Sequence, residues 1–550
     1  MTAICCAGLA RADAQTGRLR GLFSIYPLTY SESLFTILET RGAPLIRERG
    51  AALKQGVGAI MRTLGVTALA TVGLVGFAHA ADISPTTKPA PALPENCFAS
   101  VWAYLDSTPA DCPLAYGPFT FYATLDAGLM YNTNGAPWNP AFVNGTQGLI
   151  SKQSKGPKWL WSPNNINQSV IGIKMSQPIA NGWSLVGTLE AGFDPISGYL
   201  SNSQRAQVMN NGKPLALQSA NGDSSRAGQW DNSQFFLGFS NKTYGTLTGG
   251  RVNTLSLDGL IAYDPMGSAY TFSPFGFTGM YAGFADTELA RSNTAIKYRG
   301  QFGDVRVAGL AQVGGYNQGN GSSQLWQGQI GGDVHNLYGG TLSLDVVGSY
   351  AVDGALTSPL TTPIPKFYST SDLKATLSND TGFLALTKYT WGPAQVFAGW
   401  EYFRQGNPSN DYPNGFKTLA GYSVPGNILD NKAFPTVWIT TNAFNIQRVY
   451  NTVWAGFKYA VNDRLDVMGA FYYAWQNNFA TAPCTGQGIH ISSASCAGTF
   501  DTLSLLIDYR PVKRIDLYAG VALSNVYAGL ASGYQQTQNI DPTVGLRVKF

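Results

Sequence analysis

The chain is 550 residues long, 44% apolar and 12% aromatic, with 63 glycines and only 12% charged residues; a soluble globular protein carries nearer a quarter charged residues. Residues 1–80 hold eight of the 36 basic and four of the 32 acidic side chains, so 28 of each remain and the rest of the chain is formally neutral despite an overall +4. That balance gives no nucleic-acid signature. No stretch after residue 80 approaches the roughly 20 apolar residues a spanning helix needs, so the composition predicts a β-barrel with one face toward lipid and one toward water.

Met61-Arg62 opens an uncharged apolar run that ends at Ala78-His79-Ala80. A positive start, an apolar middle and small residues at the end make 61–80 a secretory signal, cleaved after Ala80. Residues 1–60 are a doubtful preface. Either Met61 is the true start, or the leader is unusually long. Export implies an oxidising compartment, so Cys97 with Cys112, and Cys484 with Cys496, are expected as two local disulfides. Cys5 and Cys6 fall in the preface. His490 lies between Cys484 and Cys496 without the companion ligands that zinc requires, so no metal site is expected. Residues 81–117 form a periplasmic N-terminal segment. It begins Pro-rich at Pro85, Pro89, Pro91 and Pro94, which reads as an extended tether. Phe98, Trp102 and Leu105 then fall at roughly helical spacing and predict a short stapled helix. That helix is a spacer capping the first strand, a peptidoglycan contact or a partial plug.

From residue 118 to 550 the chain reads as hairpins, with tight turns alternating with long polar loops. Predicted strands are 119–131, 168–177, 183–193, 234–240 and 245–251, then, after a long segment Val252–Ala290, 291–299, 305–314, 325–335 and 340–351. They continue with 381–391, 394–404, 448–460, 464–476, 499–510, 514–526 and 541–550. The count is sixteen, even as a bacterial barrel requires. Period-2 alternation supports it. Leu342, Leu344, Val346 and Tyr350 oppose Thr341, Ser343 and Asp345; Leu503, Leu505, Ile507 and Tyr509 oppose Thr502, Ser504, Asp508 and Arg510. The last strand sets Val544, Leu546, Val548 and Phe550 on one face and ends on that aromatic. Phe550 is therefore a candidate outer-membrane assembly signal. Tyr122, Tyr131, Trp391, Tyr402, Trp475 and Phe550, near strand ends, read as interface anchors. The expected fold is all-β, a 16-stranded antiparallel transmembrane β-barrel.

Five segments carry a resemblance: FYATLDAGLMY, GWSLVGTLEAGFDP, FLGFSNKTYGTLTGGR, RSNTAIKYRG and the ending VGLRVKF. In their order and spacing the chain resembles the general Gram-negative porins over about residues 97–550. CFASVWAYLDSTPADCPLAYG is similar to the alphaproteobacterial subgroup. The resemblance implies a homotrimer and a third loop folded into the lumen, with acidic loop residues opposing basic wall residues. Val252–Ala290 holds the third-loop position, with Asp258, Asp264, Asp286 and Glu288 as candidate acidic constriction residues. Arg251 and Arg291 match the family's arginines, and Lys174 and Arg306 join them as candidate basic wall residues. The loop lacks the PEFGG-like turn of enteric porins. Lys174, Arg291, Lys297 and Arg306 have the polar parity of their strands, whereas Arg251 shares a face with Leu247 and needs a strand end or a bulge to turn inward.

The leading expectation is an outer-membrane, water-filled, passive diffusion channel for small hydrophilic solutes and ions, with no cofactor and no catalytic residue. Its partners would be those solutes, outer-membrane lipid and lipopolysaccharide. Ion selectivity would come from local charges. A substrate-specific channel is the alternative; only Trp454 and Tyr518 among strand aromatics have lumen parity, too few for a sugar slide. A barrel hydrolase would need a nucleophile with a His partner, and His335 and His490 are expected on opposite sides of the membrane. An adhesin would leave a ligand motif in the loops, and none is present.

Overall fold

The computed structural model describes residues 97–135, 148–150, 154, 156–196, 198, 233–275, 291–313, 322–359, 373–409, 418–419, 422–423, 438–441, 446–479, 483–484, 491–532 and 534–550. The predicted preface and signal lie outside them, as do Asp286, Glu288 and His490. Sixteen strands build the wall. They are β1 Phe119–Asn132, β2 Ser169–Pro178, β3 Trp183–Phe193, β4 Gln234–Asn241, β5 Gly245–Asn253, β6 Arg291–Phe302, β7 Val305–Gln312 and β8 Gln324–Leu337. Then come β9 Gly340–Pro359, β10 Leu373–Trp391, β11 Ala394–Gly406, β12 Arg448–Asn462, β13 Leu465–Gln476, β14 Gly498–Val512, β15 Ile515–Ala528 and β16 Gln538–Lys549. Each pairs antiparallel with its neighbours in sequence, and β16 pairs with β1 from Lys549↔Thr124 to Thr543↔Met130. The sheet therefore closes and has no free edge. The Phe550 amide completes the closure by donating to the Ala123 carbonyl at 2.8 Å.

Seven connections of two to four residues join β2–β3, β4–β5, β6–β7, β8–β9, β10–β11, β12–β13 and β14–β15 at one end. The connections at the other end are long. Aromatics form exposed belts near both ends. Trp183, Tyr244, Tyr338, Trp391, Tyr459 and Tyr509 lie toward the short turns, and Trp159, Trp161, Trp326, Tyr350, Trp475 and Tyr527 toward the long loops. Two girdles flanking an apolar band are what a bilayer with two interfaces selects.

Several expectations need correction. β9 and β10 run eight residues further at the long-loop end than the alternation indicates. Their pairing shifts register between Ala351 and Gly354, which interrupts the period, and then resumes to Pro359↔Leu373. An unforeseen strand, Lys158–Pro163, pairs with the upper half of β1 while β2 pairs with the lower half. The chain bends between them, and Asp126 of β1 accepts the Ile166 and Asn167 amides, each at 2.7 Å. Tyr122 is no interface anchor. It lies on the inner parity, and its hydroxyl donates to Glu190 at 2.8 Å. Nor is the inner face uniformly polar: Leu310, Leu325, Val347, Leu384, Leu386, Met468 and Leu506 are all buried on it.

The N-terminal segment forms the short helix that the spacing predicts, α1 Val101–Leu105, with the Ser100 side chain capping the Ala103 amide. Both disulfides are present, with Cα–Cα separations of 6.0 Å for Cys97–Cys112 and 5.0 Å for Cys484–Cys496. Arg514, in the β14–β15 turn, is fully buried under the stapled loop. Its guanidinium donates to the Tyr104 carbonyl at 2.9 Å and the Cys112 carbonyl at 2.6 Å, and lies 4.0 Å from the Tyr104 ring centroid.

Candidate functional site

After β5 the chain leaves the wall as α2, Leu255–Tyr263. Thr254 caps it by accepting the Leu257 amide, and Asp258 in the first turn complements the helix dipole. Leu255, Leu260, Tyr263, Met266, Phe272 and Phe275 are buried, and they pack with Val347, Leu384, Leu386, Trp454, Met468 and Tyr472 from the inner parity of β9, β10, β12 and β13. Burying a large apolar side chain contributes about 1.5–3 kcal/mol, so this packing is a principal hold on the segment. Gly259 permits the close approach: a Cβ there would lie 2.8 Å from Leu386 Cδ1.

Polar contacts fix the register of residues 254–275 against many strands. Gln327 of β8 accepts the Leu255 amide at 2.6 Å and donates to Ser256 Oγ at 2.9 Å. The Tyr263 hydroxyl donates to Asp345 at 2.5 Å and accepts from Arg306 at 3.0 Å, while Trp454 Nε1 donates to the Tyr263 carbonyl at 3.1 Å. Asp258 is bridged by Lys297 and by Arg299, the latter at 2.6 Å. Burial would raise its carboxyl, but the Lys297 and Arg299 charges outweigh it and hold the group below the usual carboxylate range. Asp264 accepts from the Tyr472 hydroxyl at 2.5 Å and the Ser268 amide at 2.6 Å. There burial wins over those bonds and raises the carboxyl. Thr271 donates through both its amide and its hydroxyl to Asn165, each at 2.9 Å.

Among the described residues, two cavities lie between this segment and the wall. The larger, of about 410 Å³, faces β1–β6 and β16. Its lining includes Lys174, Arg291, Lys297, Arg299, Arg547 and Lys549, together with Glu190 and Asp258. The smaller, of about 290 Å³, is lined by Lys388, Lys458 and Arg547 with Asp264 and Asp508. Ile166, Asn167, Ile261, Gly267 and Arg547 line both.

The predicted residues separate accordingly. Lys174, Arg291 and Asp258 meet at the larger cavity, and Asp264 lines the smaller. Arg306 lines neither: Asp333 at 2.5 Å and Asp345 at 3.3 Å bracket it. Arg251 lines neither and is fully buried, donating to Asn293 at 2.7 Å. The β5–β6 register shifts between Gly250 and Val252, so Arg251 lies at a bulge. Gly250 makes it possible at φ +135°, where a Cβ would run into the Phe235 carbonyl. Sequence reasoning misses Arg299, Arg547 and Lys549 as lining residues, although Arg299 shares parity with Lys297 and the last two share parity on β16. It misses Glu190 as well, which accepts from Tyr122 and Ser233.

A closed sixteen-stranded barrel with two aromatic girdles and water-accessible cavities lined by charge is the architecture of an outer-membrane channel. A model of the Gram-negative porin family matches residues 65–528. No curated protein matches the chain. Among solved structures, the chain is similar to the anion-selective porin from Comamonas acidovorans, at 12% identity over 78% of this chain and 99% of that one, with a TM-score of 0.47. It is also similar to the outer membrane channel DcaP of Acinetobacter baumannii (14% identity, 78% and 96% coverage, TM-score 0.42) and to Salmonella typhi OmpF in complex with daunomycin (15%, 78% and 97%, 0.42). With the family match spanning most of its length, the chain belongs to the Gram-negative porin family and forms a diffusion channel in the bacterial outer membrane.

Proposed function

We propose that residues 254–275 fold into the lumen as the third loop and narrow it, and that small hydrophilic solutes and ions diffuse passively through the gaps beside α2. The observation that carries this reading is the packing of α2 and the residues after it on inner-parity side chains of β9, β10, β12 and β13. Lys174 and Arg291 form the basic wall of the constriction, facing Asp258 on the loop, with Asp264 on the second gap. Arg251 and Arg306 position the loop and wall rather than touch solute. Asp286 and Glu288, the other candidate acids of the stretch Val252–Ala290, lie outside the described residues. The N-terminal segment 81–117 is a periplasmic spacer whose described residues, from Cys97 on, dock on Arg514. The signal over 61–80 is removed in export, and Phe550 marks the chain for outer-membrane assembly.

The subunit works as one of three in a homotrimer of the alphaproteobacterial kind, its outer face meeting lipid and lipopolysaccharide. No catalytic step is assigned; His335 lies beside Asp304 at the short-turn end. Liposome swelling with neutral sugars of graded size tests the reading. Uptake that declines smoothly with solute size supports a general channel. Uptake of a single sugar, or of none, contradicts it.

A further inference from the structure

We infer that the passage beside α2 prefers anions to cations, an inference that rests on the channel reading above. The chain beyond residue 80 is formally neutral, so bulk charge gives no preference. The distribution does. Among the described residues, the larger cavity is lined by six cationic side chains and two carboxylates. Neither carboxylate stands open to a passing cation. Asp258 is clasped by Lys297 and Arg299. Glu190 is 8% exposed and accepts from Tyr122 and Ser233.

The cations are placed otherwise. Lys174 makes no ion pair among the described residues; its ammonium lies 4.9 Å from the Tyr122 ring centroid. Arg547 and Lys549 share Asp516, at 2.6 and 3.1 Å, but Asp516 is fully buried behind them and only the cationic side lines the cavity. The smaller cavity leans the same way, with three cations to two carboxylates, and Asp264 there is turned onto Tyr472. In a narrow aqueous gap with low-dielectric walls, such a field concentrates counter-ions. A potassium ion meets repulsion where a chloride, or a small organic or inorganic anion, meets attraction. Here Asp258 anchors the loop by taking up Lys297 and Arg299, and Lys174 with the cavity-facing sides of Arg547 and Lys549 act on the solute.

The test is the reversal potential of the purified protein in a planar bilayer under a KCl gradient. The expected result has the sign of chloride permeation, with a several-fold preference. That preference should shrink when the mean salt rises from about 0.1 M to about 1 M, because the Debye length falls from about 10 Å to about 3 Å. Lys174→Gln together with Arg291→Gln should lower the preference; Lys174→Gln alone, a milder change, should move it the same way. A conducting channel with a reversal potential of potassium sign, or one indifferent to both salt and these variants, overturns the inference and leaves the channel reading intact. Absence of conductance in the wild type overturns both.

Discussion

Asp258 shows how much of the interior depends on single charges. It holds the first turn of α2 to two cations of β6, and leaving those cations without their partner should cost on the order of 2–4 kcal/mol locally. Asp258→Asn should therefore keep the barrel folded, release the helix start and raise open-channel current noise at neutral pH. Acid should mimic the change in the wild type. The carboxyl is held below the ordinary value of 3.8, so its contribution is fully present above that value and is lost as the pH falls through the depressed one. Noise should appear in the wild type only below the ordinary carboxylate range, and the Asn variant should show no such acid onset. At this scale parity is informative: alternation along each strand is enough to turn Lys174, Arg291 and Lys297 inward. It does not say that Asp333 and Asp345 bracket Arg306, because those partners come from other strands, and strand register is not visible along one strand.

Two elements repay separate attention. The first is α2, which approaches the wall at Gly259. Gly259→Leu should force the helix away from Leu386, at an overpacking cost of about 1–3 kcal/mol, and change the single-channel conductance while the thermal stability of the barrel moves little. The second is the stapled loop around α1. Arg514→Gln removes the guanidinium that several carbonyls of that loop share. Hydrogen bonds to charged groups contribute about 1.5–3 kcal/mol each, so limited proteolysis should cut within 97–117 faster in the variant, with the barrel itself intact. The short helix and its disulfide are legible from the spacing of Phe98, Trp102 and Leu105 and from Cys97 and Cys112. The helix in the third-loop position is not, since Leu255–Tyr263 is apolar nearly all round and shows no period. The available signal lies elsewhere, in Val347, Leu386, Trp454 and Tyr472, apolar side chains on strand faces that otherwise turn polar groups inward.

For the whole molecule, the wall is legible in the sequence and the interior largely is not. A strand alternates with a fixed period and a barrel repeats it sixteen times, so errors in single boundaries do not disturb the count. The widest shortfall follows the ladder shift between Ala351 and Gly354, where the alternation stops eight residues before the strand ends at Pro359. The interior is made of contacts between residues far apart in sequence, such as Trp454 with Tyr263 and Tyr518 with Asp126, and no local pattern encodes them. What joins wall and interior is the claim that a wide barrel is left open, but narrowed, by the segment that α2 begins. Single-channel conductance of the purified mature protein in a planar bilayer tests that claim most directly. The account predicts stable, nearly ohmic openings, often in groups of three, without any energy source. Absence of conductance, or small openings that one particular solute closes, would contradict it.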